Sequence, residues 1–248
     1  MKTRIISVIN QKGGTGKTTT TINLASALQK KGEKVLLIDL DPQANLSYSL
    51  GILEPEKTIA DLFTGAASLP EVLVNREGMD IVPGTTEMVD IEVSLVQQPE
   101  REQFLRKLLQ NIKKYSYIFI DCPPSLSVLT LNALTASGEV LIPLQMEVLT
   151  LQGLSQILST VTKVRESVNP ALKVAGIVVV MYDKRRKLSR EVEEILQENI
   201  SEKVFDTKIR INVKLAEAPS FGQSIISYES SSAGAKDYLQ LAEEFLHA

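Results

Sequence analysis

The sequence predicts a single α/β domain in which a mostly parallel, twisted sheet carries helices on both faces. Seven short runs of apolar and β-branched residues recur along the chain, and each is too short to be a helix. Longer segments with helical spacing separate most of these runs. Alternating strands and helices favour a parallel sheet, and continuously apolar strands are typical of a sheet that is covered on both faces.

The predicted elements follow one another in a regular order. The strands are residues 5–10, 35–39, 79–82, 117–121, 139–144, 174–181 and 203–209. The helices are residues 18–31, 100–114, 151–168, 189–200 and 234–246. Gly32 ends the first helix, and Ser189 is a suitable N-cap for the fourth. Residues 54–75 and the serine-rich segment 227–232 are expected to be surface excursions of the same domain.

The composition indicates one globular domain spanning residues 1–248. With 44% hydrophobic residues, a chain of 248 residues can bury one continuous core. No apolar run approaches the roughly 20 residues that a membrane-spanning helix needs. Cys122 and His247 are the only cysteine and the only histidine, which excludes an internal disulfide and a Cys/His metal cage. A cytoplasmic location fits these features best.

The charge balance places any nucleic-acid affinity in a local patch. The chain has 27 basic and 30 acidic residues and a net charge of −3, so its overall charge does not attract DNA. Basic residues cluster in two places. Lys184, Arg185, Arg186 and Lys187 form one run, and Lys208, Arg210 and Lys214 lie near each other in a second segment. The default interpretation of such a run is an exposed, solvated loop.

A glycine-rich loop joins the first strand to the first helix. Glycines let backbone N–H groups face an anion, and the following helix adds its positive N-terminal end. Lys17 supplies a point charge for the β- and γ-phosphates, and Thr18 can bind Mg²⁺ through its hydroxyl. The strict phosphate-loop pattern requires glycine at position 11, where Gln11 stands. The predicted ATP-binding residues are Lys12, Gly13, Gly14, Thr15, Gly16, Lys17, Thr18 and Thr19.

Three aspartates lie at the carboxyl ends of predicted strands, where parallel sheets place their ligands. Asp41 follows the strand 35–39, and a carboxylate there can orient or deprotonate the water that attacks a γ-phosphate. Asp39 either ends this strand or supports the Mg²⁺ shell. Asp121 ends the strand 117–121 and is expected to hold Mg²⁺ directly or through water. The alternative for Asp121 is a turn cap, which the two prolines at 123 and 124 make credible.

The segment 12–18 resembles the deviant Walker A motif of the ParA/MinD ATPases. The resemblance extends through residues 39–43, 121–125, 130–134 and 215–220 in family order, and it is strongest to the short ParA/Soj-type chromosome and plasmid partition ATPases. It implies a P-loop NTPase fold with ATP and Mg²⁺ as cofactors. It also implies a homodimer that sandwiches the nucleotides, with Lys12 reaching the partner's phosphates and Asp41 as the catalytic carboxylate.

The same resemblance implies further sites. It assigns the adenine contacts to Met181, Asp183 and Pro219. It assigns the two basic clusters to non-specific double-stranded DNA, although Lys214 occupies a position that resembles an arginine in close relatives. No segment precedes the first strand, so we expect no N-terminal DNA-binding extension.

The leading hypothesis is therefore a nucleoid-associated ATPase that pairs on binding ATP, binds DNA, and is switched off when a ParB-like protein or another cargo adaptor stimulates hydrolysis. The alternative is a metabolic, small-cargo or metal-delivery ATPase that binds no DNA, although the absence of a cysteine pair disfavours metal delivery. Membrane attachment is not expected, because the polar face of the helix 234–246 is acidic and anionic lipid would repel it.

Overall fold

The computed structural model describes residues 3–147, 150–187, 192, 194–196, 198 and 200–247. Across these residues the chain forms a seven-stranded sheet. Its strands are β1 (Arg4–Val8), β2 (Val35–Asp39), β3 (Val74–Arg76), β4 (Met79–Val82), β5 (Tyr117–Asp121), β6 (Glu139–Gln145) and β7 (Lys173–Val180). Their order is β3-β4-β2-β5-β1-β6-β7, and every neighbouring pair is parallel except β3 and β4. The predicted fold class is confirmed.

Helices surround this sheet. They are α1 (Lys17–Lys30), α2 (Asn45–Ser49), α3 (Ile59–Thr64), α4 (Leu69–Val72), α5 (Met88–Val96), α6 (Phe104–Leu109), α7 (Val128–Ala136), α8 (Thr150–Ser167), α9 (Val213–Glu217), α10 (Ile225–Tyr228) and α11 (Ala233–Leu246), with a 3₁₀ turn at Ala218–Phe221. No helix among the described residues is long and apolar enough to cross a membrane.

The central strands are buried on both faces, which explains their continuously apolar sequences. Side chains alternate between the two faces of a strand. In β2, Leu36 and Ile38 belong to the core beneath α5, α7 and α8, whereas Leu37 belongs to the core beneath α1 and α11. Two separate hydrophobic cores therefore hold the sheet, and the ends of its strands are fixed in space.

The sheet register brings two carboxylates side by side. Strand β2 lies parallel to β5, and Asp39 is the register partner of Asp121. Strand β1 pairs with the other side of β5 and leads into the glycine-rich loop. The carboxyl ends of β1, β2 and β5 therefore converge on one edge of the sheet.

The predicted strand 203–209 is wrong as a regular strand. The segment follows the free side of β7 but makes only isolated bridges, between Ile177 and Val204 and between Tyr182 and Arg210. The reason is a competing acceptor, because the N–H groups of Asp206 and Thr207 donate to the Glu244 carboxylate at 2.9 and 3.0 Å. These two groups are not available to the sheet.

Three other predictions change. The helix predicted at 100–114 shortens to α6, and Glu100 adopts a left-handed φ of 52° that no continuous helix allows. The stretch 54–75, expected to be a surface excursion, contains α3, α4 and the start of β3. The segment 227–232 holds the end of α10 and the N-cap of α11. Six of the twelve residues of the predicted helix 189–200 lie outside the described residues.

Candidate functional site

The loop between β1 and α1 has the backbone of an anion-binding site. Gly14 and Gly16 have φ values of +73° and +74°, a conformation that strains other residues. A Cβ atom placed on Gly13 or Gly14 would meet nothing within 4 Å, so open space lies in front of the backbone. The loop leads directly into α1, whose N-terminus carries a positive partial charge.

Lys17 occupies a buried position at the start of α1. It is 7% exposed, and its Nζ donates to the backbone oxygen of Lys12 at 3.2 Å. Burial lowers the pKa of Lys17, while the negative charges of Asp121 and Asp41 act in the opposite direction. An anion bound beside this ammonium would replace solvation that burial has already removed.

Asp121 and Asp39 form a buried carboxylate pair at the strand ends. Thr18 Oγ1 donates to Asp121 Oδ2 at 2.6 Å, and Ser47 donates to Asp39 Oδ2 from its N–H at 2.9 Å and its Oγ at 2.7 Å. Both carboxyls are fully buried. Burial raises the pKa of Asp121 to about 8, and the neighbouring charge of Asp39 adds to this. Burial also raises the pKa of Asp39 to about 6.

These oxygens fit Mg²⁺. The ion prefers oxygen ligands, and it is usually bound by one or two carboxylates together with substrate phosphates rather than by an all-protein cage. Asp39 Oδ1 is buried and has no hydrogen-bond partner, so this oxygen is available to a cation. In the described part of the chain, no group of three or more His, Cys, Asp or Glu residues is placed to hold a metal. Thr18, Asp121 and Asp39 can therefore hold Mg²⁺ when phosphate oxygens complete its shell.

Asp41 lies beyond the end of β2 and borders the open cleft in front of the loop. It is 7% exposed, and its Oδ1 accepts a hydrogen bond from the N–H of Gln43 at 2.9 Å. The cleft has a volume of about 560 Å³. The predicted site residues that line it are Gly13, Gly14, Gly16, Lys17, Thr18, Thr19, Asp41, Met181 and Pro219.

A second, more apolar cavity of about 250 Å³ adjoins this cleft. Gly16, Thr19 and Met181 line both spaces. Ile211 and Asn212 also line the second cavity, and neither belongs to a predicted site. The local sequence signal at Asn212 is that of a helix N-cap. Its side chain accepts a hydrogen bond from the N–H of Lys214 at 2.9 Å.

The three predicted adenine residues do not all lie together. Met181 and Pro219 line the cleft, but Asp183 lines neither of these two spaces. Asp183 instead accepts two hydrogen bonds of 2.9 Å from the Arg185 guanidinium, which lowers the pKa of Asp183 to about 2. Its assignment as a nucleotide contact stays a prediction.

Lys12 lies at the rim of the loop rather than inside it. Its ammonium is ion-paired with Glu147 of the same chain, and the two side chains are 58% and 48% exposed. The Lys12 N–H donates to Asn10 Oδ1 at 3.0 Å, and Asn10 Nδ2 donates to the Pro143 carbonyl at 2.7 Å. The loop is thus fastened to β6, while Lys12 presents an exposed charge. Thr15 anchors the same turn by donating to the Lys12 carbonyl at 3.1 Å.

Residues of the two basic clusters meet in space, whereas Lys214 lies on α9. The bridge between Tyr182 and Arg210 joins their segments, and Lys184, Arg185 and Arg210 line one cleft of about 430 Å³. Arg186 follows in the same turn. Lys208 Nζ lies 4.9 Å from the centroid of the Tyr182 ring.

Carboxylates partly neutralise these cations. Besides the Arg185–Asp183 pair, Arg210 binds Asp237 at 2.6 Å and Lys214 binds Glu217 at 2.8 Å. We call Lys184, Arg185, Arg186, Lys208, Arg210 and Lys214 together the cationic surface.

Known proteins share this fold and much of this sequence. A family model described as an AAA domain matches residues 3–174. The chain is 44% identical over 250 residues to the chromosome partitioning protein ParA of Caulobacter vibrioides, a match covering 98% of this chain and 94% of the relative. It is 43% identical over 246 residues to the sporulation initiation inhibitor protein Soj of Bacillus subtilis, covering 97% of each.

A solved structure extends the comparison to bound ligands. Cobyrinic acid a,c-diamide synthase from Mycobacterium smegmatis, with bound ADP and magnesium, superimposes with a TM-score of 0.87 at 34% identity. The match covers 99% of this chain and 95% of that one.

Proposed function

The chain belongs to the ParA/Soj family of ATPases, with ATP and Mg²⁺ as its cofactors, and we propose that it is a DNA-binding switch driven by ATP hydrolysis. In this proposal the ATP-bound chain pairs with a second copy, and the dimer binds double-stranded DNA of any sequence on the nucleoid. A ParB-like protein or another cargo adaptor then stimulates hydrolysis and releases it. The result is segregation or positioning of DNA or another large cargo.

One observation carries the proposal: the two lysines of the loop occupy different environments. Lys17 is buried within electrostatic reach of Asp121. In this proposal it serves the phosphates of its own chain. Lys12 is more than half exposed and points its charge to the rim, where a second copy can present its nucleotide. Its pairing with Glu147 is an exposed ion pair, which contributes little and is easily exchanged for a phosphate.

The remaining groups at the site are suited to ATP hydrolysis. Loop N–H groups and Lys17 orient the β- and γ-phosphates. Thr18, Asp121 and Asp39 would hold Mg²⁺, which when bound would supply positive charge to neutralise the transferred phosphoryl group. Asp41 orients the attacking water and accepts its proton, a role that commonly contributes about 10²–10⁴-fold.

DNA binding depends on pairing because one chain alone binds a polyanion such as DNA only weakly. A net charge of −3 opposes association, and Arg185, Arg210 and Lys214 are each paired with a carboxylate. Two chains double the number of phosphate contacts. If each chain contributes two or three cations, about four to six phosphates are met and the logarithm of affinity falls with the logarithm of salt at a slope near −4 to −5.

The test is an electrophoretic mobility shift on two unrelated duplexes with ATP, ADP or no nucleotide. We expect binding with ATP only, equal on both duplexes and lost at high salt. Substituting Arg185, Arg186 and Lys214 together by alanine removes binding but not ATP-dependent pairing measured by light scattering.

The matched control changes Lys57, Lys107 and Lys114 to alanine, since these exposed lysines lie elsewhere and alter the net charge equally. This control should still bind DNA. Equal weak binding in all three nucleotide states, or none at any salt, contradicts the proposal and favours a small-cargo ATPase.

A further inference from the structure

Helix α5 carries an apolar stripe on its outer face. Val89, Val93 and Val96 are 53%, 69% and 48% exposed, and their spacing puts them on one side of the helix. Met88 and Leu95 are buried on the other side, within the core shared with α3 and α7. The fold therefore uses one face of α5 and leaves three valines in solvent.

Acidic residues accompany this stripe. At 100° per residue, Asp90 lies on one flank of the valines and Glu92 lies on the other. Asp90 is exposed, as is Glu87, the residue before the helix, whereas Glu92 is half-buried. Helix α5 contains no lysine or arginine along its described length, and Arg101 donates to the Val96 carbonyl at 2.8 Å only at its C-terminal end.

We propose that α5 is the docking face for a cationic amphipathic helix of a partner protein. This inference rests on the proposed function, in which a partner stimulates hydrolysis. A helix that aligns leucine-like side chains with Val89, Val93 and Val96 buries the stripe. Lysines or arginines beside that apolar face meet Asp90 and Glu92, and this complementarity sets the orientation and speeds association.

The position of α5 keeps such a partner apart from DNA. Helix α5 follows β4, whereas the cationic surface follows β7 and the segment beside it. Five strand-to-strand steps separate β4 from β7, which corresponds to about 24 Å across the sheet. A cationic helix is attracted to the acidic face and repelled by the cationic surface, so both ligands can occupy one chain.

The turn that leads into α5 also touches the candidate Mg²⁺ site. The N–H of Gly84 donates to Ser47 Oγ at 2.8 Å, and Ser47 Oγ donates to Asp39 Oδ2 at 2.7 Å. The turn before α5 is therefore two hydrogen bonds from a candidate Mg²⁺ carboxylate, and a partner on α5 binds next to that turn.

The test uses the full chain with Mg²⁺ and a non-hydrolysable ATP analogue. The probe is a fluorescent synthetic helix of about 18 residues, or five turns, with leucines on one face and lysines on its flanks. A control peptide has the same composition with its leucines spread around the helix. Anisotropy titrations should show binding of the first peptide only, weaker at higher salt because exposed charges are screened.

Matched variants locate the binding face. Val93→Ser should lower the affinity for the amphipathic probe by about tenfold, because it truncates a side chain at the centre of the interface. Asp90→Lys with Glu92→Lys should weaken it by a similar factor and reduce its salt dependence. Val213→Ser is the control, because Val213 is also 69% exposed but lies on α9, and the probe should bind it as it binds the wild type.

Several outcomes would overturn the inference. These are no binding of the amphipathic probe to the wild type, equal binding of both peptides, or undiminished binding to Val93→Ser. Loss of ATP-dependent pairing in Val93→Ser, with an unchanged melting temperature, would assign α5 to the subunit interface instead. Mobility shifts on the same wild-type sample separate the two proposals, because failed DNA binding refutes the proposed function whatever the peptide does.

Discussion

Gly84 offers a steric probe of the candidate Mg²⁺ site. A Cβ atom at this position would lie 2.7 Å from Asp39 Cγ and 2.8 Å from its Oδ2. Asp39 is fully buried and held by Ser47, so it has little room to move. Overpacking of this kind costs about 1–3 kcal/mol, and we expect Gly84→Ala to lower the free energy of unfolding by that amount.

Gly138→Ala is the matched control, because a Cβ there meets nothing within 4 Å and its φ is not left-handed. This change should alter stability by no more than about 1 kcal/mol, in the stabilising direction, through the unfolded chain. Urea unfolding compares the two variants. Calorimetric titration with an ATP analogue then compares binding with and without Mg²⁺, and only the Mg²⁺-dependent part should weaken in Gly84→Ala. Equal stability of the two variants would refute the placement of Asp39 against Gly84.

Three further predictions concern the loop and its carboxylates. Lys12→Ala should keep nucleotide binding but lose ATP-dependent pairing by light scattering, whereas Glu147→Gln should strengthen pairing by at most about fivefold, since an exposed ion pair is worth up to about 1 kcal/mol. Asp41→Ala should trap the ATP-bound dimer, and a wild-type rate of phosphate release would show that Asp41 is not the catalytic carboxylate. Burial raises the pKa of Asp121 from 3.8 to about 8, so the folded chain keeps a proton that the unfolded chain releases. The free energy of unfolding of the nucleotide-free protein should therefore fall as pH rises from about 4 to 8, and pH-dependent unfolding of Asp121→Asn should show a flatter profile.

The phosphate loop and its carboxylates could be predicted because they depend on local patterns. Apolar runs fix the strands, and parallel strands bring their carboxyl ends to one edge. Asp39, Asp41 and Asp121 therefore had to lie near the loop that follows β1. The pairing of Asp39 with Ser47 and Gly84 was not predictable, since it joins the end of β2, helix α2 and the loop after β4, which no sequence pattern relates.

Competing hydrogen bonds account for the segment that was predicted wrongly. Residues 203–209 have the composition of a strand, but the Glu244 carboxylate on α11 accepts hydrogen bonds from two of their N–H groups.

The exposed stripe on α5 could not be predicted from the sequence for a different reason. A valine-rich run such as 88–96 is compatible with a strand or a helix, and its exposed face emerges only when the neighbouring elements are in place.

In the proposed cycle, pairing through Lys12 creates the DNA-binding state. The most direct measurement is the salt dependence of DNA affinity by fluorescence anisotropy, with ATP and Mg²⁺, for the wild type and Lys12→Ala. The wild type should give a slope near −4 to −5, and the unpaired Lys12→Ala chain should bind weakly with about half that slope, because it meets half as many phosphates. The same affinity and the same slope in both proteins would show that pairing through Lys12 does not create the DNA-binding state.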